Sequence, residues 1–165
     1  MSFFVVFAAI LVIIDQLVKY WALNRLQLMQ TLPIWENVFH LTYVENRGAA
    51  FSMLSGQVSQ WFFVGLAVVI TIAILLLLYK KVLQTKLGEW SLLLIAAGAV
   101  GNAIDRAIHG FVVDLFDFRL INFAIFNVAD IYICVGGALF VIYMLFQHKD
   151  KEELAAMTEE TPNHE

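Results

Sequence analysis

Long apolar segments with few charges alternate with shorter polar segments along most of this chain. A helix needs about 20 mostly apolar residues to cross a membrane. Four segments meet this requirement: residues 2–22, 60–79, 88–108 and 126–147. Only the second of them is free of charged residues throughout. The pattern predicts four transmembrane helices.

The segments that link the apolar runs differ in length and pattern. Residues 24–58 form a long mixed loop, in which Phe39 to Val44 alternate as a strand does. We therefore expect a small β-like cradle in this loop. From residue 149 onward the chain is acidic and poor in apolar residues, which is typical of a disordered tail. The predicted organisation is a membrane domain over residues 1–148 and an acidic cytoplasmic tail over residues 149–165.

Composition excludes several classes of protein. The chain has 165 residues, of which 61% are hydrophobic and 15% are charged, and a soluble domain of this size could not bury so much apolar surface. Recurrent spans also argue against a secreted protein or a single-pass anchor. No basic run with interleaved aromatic residues is present, so nucleic-acid binding is not expected. Cys134 lies in an apolar run and is expected to be a small buried side chain.

Lysine positions predict the orientation of the chain in the membrane. Five of the six lysines gather on one side of the predicted spans, at Lys80, Lys81, Lys86, Lys149 and Lys151. Because basic loops stay in the cytoplasm, this side is expected to be cytoplasmic. Both termini are then inside, while residues 24–58 and the loop after the third span lie outside.

Polar residues within and beside the spans gather at a single level. In this topology the first and third spans run outward and the other two run inward. The residues concerned are Asp15 and Lys19 late in the first span, Asn46 to Phe51 before the second, Asn102, Asp105 and Arg106 late in the third, and Asn127 and Asp130 at the start of the fourth. Polar residues placed at random along the spans would not all fall at the same membrane level when the spans alternate in direction. The pattern therefore predicts one polar site near the outer membrane surface.

Several of these residues also have a purely structural interpretation. Asp15 and Lys19 are four residues apart on one helical face and can neutralise each other. Asp105 can belong to a hydrogen-bond network that satisfies polar groups at the end of its helix. For Asn102 and Arg106, an orienting role near a site is as well supported as this structural role. Close helix packing is the simplest role for the glycines of the third and fourth spans, which are Gly98, Gly101, Gly136 and Gly137.

Two further carboxylates point to catalysis when they are taken together. Asp114 has apolar neighbours on both sides, which is a costly place for an anion. Asp130 heads an apolar helix, where the helix dipole offers a structural alternative. Two neighbouring carboxyl groups in a partly desolvated site do not readily both ionise. One keeps a proton, and the pair can act as base and acid on a water that attacks a carbonyl.

Other chemistries have less support. The histidines are dispersed and no HExxH or Cys/His cluster exists, so no metal or other cofactor is expected. The serines of the long loop lack a Gly-x-Ser-x-Gly elbow, although Lys19 leaves a Ser–Lys dyad open. A small proton- or ion-conducting transporter subunit is the alternative from another class, because intramembrane ionisable residues also serve ion pathways. It predicts polar residues spread through the membrane depth, whereas here they cluster.

Five short motifs follow one another in order along the spans. They are Asp15-Gln16-Leu17-Val18-Lys19, Asn46-Arg47-Gly48-Ala49-Ala50-Phe51, Gly98-Ala99-Val100-Gly101-Asn102-Ala103-Ile104-Asp105-Arg106, Val112-Val113-Asp114 and Phe126-Asn127-Val128-Ala129-Asp130. Together they resemble bacterial lipoprotein signal peptidase, also called signal peptidase II. The resemblance covers nearly all of the chain before the acidic tail. It implies an aspartic-type endopeptidase of the bacterial cytoplasmic membrane, with four helices and an extracytoplasmic cradle.

The resemblance also implies substrates and residue roles. The expected substrates are prolipoproteins whose cysteine at the cleavage site carries diacylglycerol, and a globomycin-type inhibitor is expected to block the site. Asp114 and Asp130 correspond to the catalytic pair. Supporting or substrate-binding positions correspond to Asp15, Lys19, Asn46, Gly48, Asn102, Asp105, Arg106, Asn127 and Ala129. The expected protein is a monomer surrounded by membrane lipid.

Overall fold

The computed structural model describes residues 2–48, 56–83 and 85–159. Within these ranges four helices are long and apolar enough to cross a membrane: Phe3–Met29, Gln60–Tyr79, Lys86–His109 and Val128–Gln147. They coincide with the four predicted spans. The prediction of a four-helix membrane protein is therefore confirmed.

The helices and strands follow in a simple order. They are α1 (Ser2–Trp21), a π-helical turn (Ala22–Leu26), α2 (Gln27–Met29), β1 (Thr31–Trp35), β2 (Phe39–Asn46), α3 (Gly56–Tyr79), α4 (Lys86–His109), β3 (Val112–Asp117), a 3-10 turn (Arg119–Ile121) and α5 (Val128–Glu159). The strand predicted around Phe39 to Val44 is thus present as β2. The first and last helical segments extend furthest beyond their predicted bounds.

The first helical segment continues to Met29 instead of ending near residue 22. Ala22 and Leu26 in this extension have no exposed surface and pack with Tyr43, Val113 and Leu115 beneath the sheet. Burial of these side chains by other parts of the chain stabilises the additional turns. Contacts of this kind are not visible in the hydropathy of the span itself.

The last helix continues to Glu159, so residues 149–159 are helical where composition indicated disorder. Residues 160–165 lie outside the described part of the chain. The segment is rich in Lys, Glu, Leu and Ala, which are good helix formers. Because it extends an existing helix, it needs no new nucleation. The division into a membrane domain and a tail remains a prediction.

Helix α4 lies at the centre of the bundle. In the most apolar 18-residue stretch of α4, half of the residues are buried, against 17% or less in the corresponding stretches of the other spans. A Cβ at Gly98 would collide with the backbone oxygen of Ala129, and one at Gly101 would lie 2.5 Å from Asp15 Oδ2. These glycines allow α4 to approach α5 and α1. A Cβ at Gly137 would meet nothing within 4 Å, so the expected packing role of this glycine is wrong.

Replacing Gly98 by alanine is expected to lower the free energy of unfolding by about 1–3 kcal/mol. The new methyl group would overlap backbone in the first turn of α5, which cannot shift without moving the polar residues that follow. Thermal unfolding in detergent measures the loss. Gly137→Ala is the matched control and should be neutral or stabilising, since alanine favours helix and finds open space there. Equal losses at the two positions would contradict the packing explanation.

A three-stranded antiparallel sheet lies at one end of the bundle, with the strand order β1-β2-β3. Strand β2 pairs with β3 so that Val44 faces Asp114 and Asn46 faces Val112. The sheet connects the first polar loop of the sequence to the segment after α4. It corresponds to the predicted cradle, although the contribution of β3 was not predicted.

Cys134 is exposed, contrary to the expectation that it is buried. It lies on α5 beside Val135, which is also exposed. In a membrane helix the apolar residues on one face contact lipid instead of other protein groups. An apolar run therefore does not predict burial within the protein.

Candidate active site

Polar side chains converge at the end of the bundle that carries the sheet, which we call the sheet end. Here α1 and α4 end, while α3 and α5 begin. Gly110 closes α4 in a left-handed conformation with φ of 76°, and its N–H donates to Arg106 O at 3.0 Å. The chain then enters β3 directly. This turn brings Asp114 back toward the polar residues of α4.

Asp114 lies in β3 between two fully buried neighbours, Val113 and Leu115, and is itself only 2% exposed. Asn127 Nδ2 donates to its Oδ1 at 2.7 Å, and Asn46 Nδ2 donates to its Oδ2 at 2.9 Å. Burial raises the pKa of Asp114 to about 6, because the two amide donors only partly offset the loss of solvation and the charge of Asp130 adds to it.

Gly48 fixes the direction in which Asn46 presents its amide. The backbone N–H of Gly48 donates to Asn46 Oδ1 at 2.9 Å, which leaves the NH2 group facing Asp114. Gly48 has φ of 75°, a conformation that glycine adopts without strain. Asn46 and Asp114 are diagonal neighbours across β2 and β3, within reach of each other on one face of the sheet.

Asp130 and Asn127 cap the first turn of α5 reciprocally. Asn127 Oδ1 accepts from the backbone N–H of Asp130 at 3.0 Å, while Asp130 Oδ2 accepts from the backbone N–H of Asn127 at 3.1 Å. This is the geometry of a capping box. Since Asn127 Nδ2 also reaches Asp114, one asparagine binds both carboxylates and sets their relative position.

Asn102 connects the same carboxylates to a buried lysine. Its Oδ1 accepts from Lys19 Nζ at 2.9 Å and from Asn127 Nδ2 at 3.2 Å, and its Nδ2 donates to Asp130 Oδ1 at 2.8 Å. Because an ammonium can only donate, the atom facing Lys19 must be the oxygen. The NH2 group is thereby directed at Asp130.

A buried ionic cluster lies behind these groups. Lys19 Nζ is 2.9 Å from Asp15 Oδ2 and 3.2 Å from Asp105 Oδ2, and all three residues are at most 2% exposed. Asp15 Oδ1 also accepts from the backbone N–H of Ala129, and Asp105 Oδ2 accepts from that of Val113. The cluster thus fastens the start of α5 and the start of β3, the two elements that carry the carboxylate pair.

Arg106 borders a cavity of about 370 Å³ at the sheet end. Its guanidinium lies 4.8 Å over the ring of Phe63 and interacts electrostatically with Asp130 and Asp114. Its Nε is buried and has no hydrogen-bond partner among the described residues. The cavity is lined by Arg47, Gln60, Trp61, Arg106, Ala107, Ile108, His109 and Gly110.

The sheet end brings together every site residue that the sequence singled out within the described ranges. Ala49, Ala50 and Phe51 lie outside those ranges, as do Ser52 and Ser55, whereas Ser59 belongs to α3. Sequence reasoning missed Gln16, whose Nε2 donates to Asp105 Oδ1 at 3.0 Å. It also missed Gln60, which lines the cavity. The position of Gln16 inside a motif was a usable signal, whereas Gln60 sits unmarked at the start of an apolar span.

The geometry suits acid–base chemistry on a water molecule. Asp114 and Asp130 share Asn127 as a hydrogen-bonding neighbour, and the charge of one affects the protonation of the other. A raised pKa at one carboxylate permits one protonated and one ionised group near neutral pH. Such a pair can take a proton from water and give a proton to a carbonyl.

Comparisons with known proteins identify relatives over most of the chain. The family model described as signal peptidase (SPase) II matches residues 7–146. A protein of Clostridioides difficile (strain 630) named lipoprotein signal peptidase is 46% identical over 143 residues, which cover 87% of this chain and 95% of the relative. One of Lactococcus lactis subsp. lactis (strain IL1403) with the same name is also 46% identical, covering 85% and 91%. A bacterial membrane enzyme solved at 2.3 Å resolution superposes with a TM-score of 0.80 at 30% identity and 92% coverage of both chains.

Proposed function

The chain belongs to the signal peptidase II family of bacterial membrane peptidases, and we propose that it removes the signal peptide from diacylglyceryl-modified prolipoproteins with Asp114 and Asp130 as its catalytic pair. The observation that carries the proposal is the pair of carboxylates linked by Asn127. The substrate class rests on the name shared by the relatives.

Asp130 is the base and Asp114 the acid in this proposal. Asp130 takes a proton from water as the water oxygen bonds to the carbonyl carbon, and Asp114 gives its proton to the carbonyl oxygen. The C–N bond then breaks as the proton held by Asp130 passes to the leaving nitrogen. One hydroxyl of the gem-diol intermediate returns its proton to Asp114, which releases the carboxylic acid and restores both carboxyl groups to their starting states. The raised pKa of Asp114 supports its role as the group that begins protonated.

The surrounding amides position the pair without taking part in bond making. Asn102 and Asn127 fix Asp130, and Asn46 together with Asn127 fixes Asp114. Arg106 provides a positive charge beside the developing oxyanion or the substrate backbone. Rigid placement of both carboxylates lowers the cost of reaching the transition state.

The proposed location is the extracytoplasmic surface of the cytoplasmic membrane, with both termini in the cytoplasm. Lysines favour this orientation, since those between α3 and α4 lie at the opposite end of the bundle from the carboxylates. A scissile bond would reach the pair at the membrane surface while the diacylglyceryl chains stay in lipid. The protein is proposed to act as a monomer and to be blocked by a globomycin-type inhibitor.

The decisive assay uses purified protein and a synthetic prolipoprotein peptide with diacylglycerol on its cysteine. Wild-type protein should release the signal peptide, and the same peptide without diacylglycerol should be a poor substrate. A chelator should leave the rate unchanged, because no step uses a metal. Cleavage that is lost with a chelator and restored by zinc would contradict the mechanism.

Asn46→Ala is expected to move one limb of the pH–rate profile to higher pH. The Asn46 amide stabilises ionised Asp114, so its removal raises the pKa of Asp114 above the value of about 6. If Asp114 is the acid, cleavage falls as the pH rises through this pKa, and the alkaline limb is the one that moves. The measurement is kcat/KM against pH for wild type and variant. Movement of the acidic limb instead would exchange the roles of Asp114 and Asp130.

A further inference from the structure

Two polar atoms beside the cavity near Arg106 have unused hydrogen-bonding capacity. Gln60 Oε1 and Arg106 Nε are both buried and have no partner among the described residues. Gln60 is only 6% exposed, although it lies at the start of a membrane span. Leaving a buried amide oxygen without a hydrogen bond costs about 1–3 kcal/mol. An oxygen of this kind is therefore a candidate ligand contact, because a bound ligand can supply the missing donor.

The orientation of the Gln60 amide is determined by its other contact. Its Nε2 donates to the backbone oxygen of Arg47 at 2.8 Å, and a carbonyl can only accept. The free atom is therefore the amide oxygen, an acceptor that needs an N–H or O–H donor. Arg106 Nε, in contrast, is a donor that needs an acceptor.

A peptide backbone carries the complementary pair of groups. Each peptide unit offers an N–H donor and a C=O acceptor, which match Gln60 Oε1 and Arg106 Nε respectively. The oxygens of a phosphate or carboxylate would suit Arg106 but would face the acceptor oxygen of Gln60. An extended peptide therefore fits this cavity better than an anionic lipid headgroup.

We propose that Gln60 is a substrate-binding residue, whose Oε1 accepts a hydrogen bond from a backbone N–H of the prolipoprotein while Arg106 donates to a carbonyl of the same segment. This inference rests on the proposed function and extends it from the carboxylates to the cavity that Arg106 lines. The contact is to the backbone, so it holds the chain in register whatever side chains flank the modified cysteine.

The test is a double-substitution cycle between the enzyme and the substrate backbone. Amides flanking the scissile bond of the diacylglyceryl peptide are replaced one at a time by esters, which lack the N–H. For wild type, one ester should raise KM about tenfold with kcat nearly unchanged, the effect of losing one hydrogen bond to a buried group. For Gln60→Leu, the same ester should cause no further increase.

Thr71→Val provides a matched control on the same helix. Thr71 Oγ1 is also buried without a partner among the described residues, but it borders an apolar cavity deeper in the bundle. This variant should retain the full ester effect. Loss of the ester effect in both variants would indicate a general change in the bundle and would overturn the assignment.

The remaining outcomes separate this inference from the proposed function. If wild type cleaves the parent peptide but the ester raises KM equally in wild type and in Gln60→Leu, the inference alone is overturned. A Gln60→Leu defect that appears only in vesicles containing phosphatidylglycerol, and not in phosphatidylcholine, would assign the cavity to a lipid headgroup and would also overturn it. Wild type that fails to cleave the parent peptide overturns both.

Discussion

Asp114→Asn and Asp130→Asn are each expected to lower the rate of cleavage about a thousandfold or more, with the protein still folded and inserted. An amide has nearly the shape of a carboxyl group but cannot exchange the proton that the proposed mechanism moves. Each carboxylate accepts a hydrogen bond at both of its oxygens, so the new amide keeps one of them through its oxygen and turns its NH2 group toward the other donor. We expect this local cost to lower the stability without unfolding the protein. Single-turnover cleavage of the diacylglyceryl peptide measures the loss, and thermal unfolding of each variant establishes that it is folded.

Asp117→Asn is the matched control because it changes a carboxylate on the same strand. Asp117 lies three residues beyond Asp114 and so on the opposite face of β3. Burial opposes its ionisation, but the Thr42 hydroxyl and the Arg119 guanidinium outweigh this and hold the pKa of Asp117 below its ordinary value. The variant should cleave at nearly the wild-type rate. Substantial turnover by Asp114→Asn or Asp130→Asn would exclude the carboxylate pair as the catalytic groups.

The spans and the presence of a sheet were predictable because each depends on a local pattern. A run of apolar residues long enough to cross a membrane has few other stable structures, and alternation around Tyr43 is typical of a strand. Strand β3 was harder to predict. Its residues from Val112 to Phe116 are apolar except for Asp114, and most of them are buried, so the alternation that marks a half-buried strand is missing.

The roles within the polar site depend on directions that the sequence does not contain. Asn102, Asp105 and Arg106 stand together on α4, and nothing in their spacing tells which of them faces α5. The structure directs Asn102 to Asp130, whereas Asp105 turns to Lys19 and the backbone of Val113. The resemblance to the family implies a supporting role for Asp105, which stays a prediction. Whether Asp105 is dispensable for catalysis stays a prediction.

Lys19→Met is expected to lower the free energy of unfolding by about 3–5 kcal/mol, the range found when one partner of a buried ion pair is removed. Methionine fills much of the same volume, so the cause is charge and not a cavity. Asp15 and Asp105 would be left as neighbouring buried carboxylates with no cation between them. Asn102 would also lose the nearer of the two donors to its Oδ1 and would be held only by Asn127, which weakens the control of its hydrogen bond to Asp130. Thermal unfolding in detergent and the cleavage rate of the surviving folded protein are the two measurements.

Lys86→Met is the matched control for this prediction, because it removes the same charge from a pair that solvent reaches. Lys86 Nζ is 2.7 Å from Glu89 Oε2, a shorter contact than either ion pair of Lys19, yet its side chain is 76% exposed. Exposed pairs contribute at most about 1 kcal/mol. If distance decided the contribution, Lys86→Met would be at least as damaging. If burial decides the contribution of the ion pair, as we expect, only Lys19→Met should lower the unfolding temperature. A Lys19→Met protein as stable as wild type would mean that Asp15 and Asp105 tolerate the loss of the cation, and that the cluster does not hold β3 and α5 together.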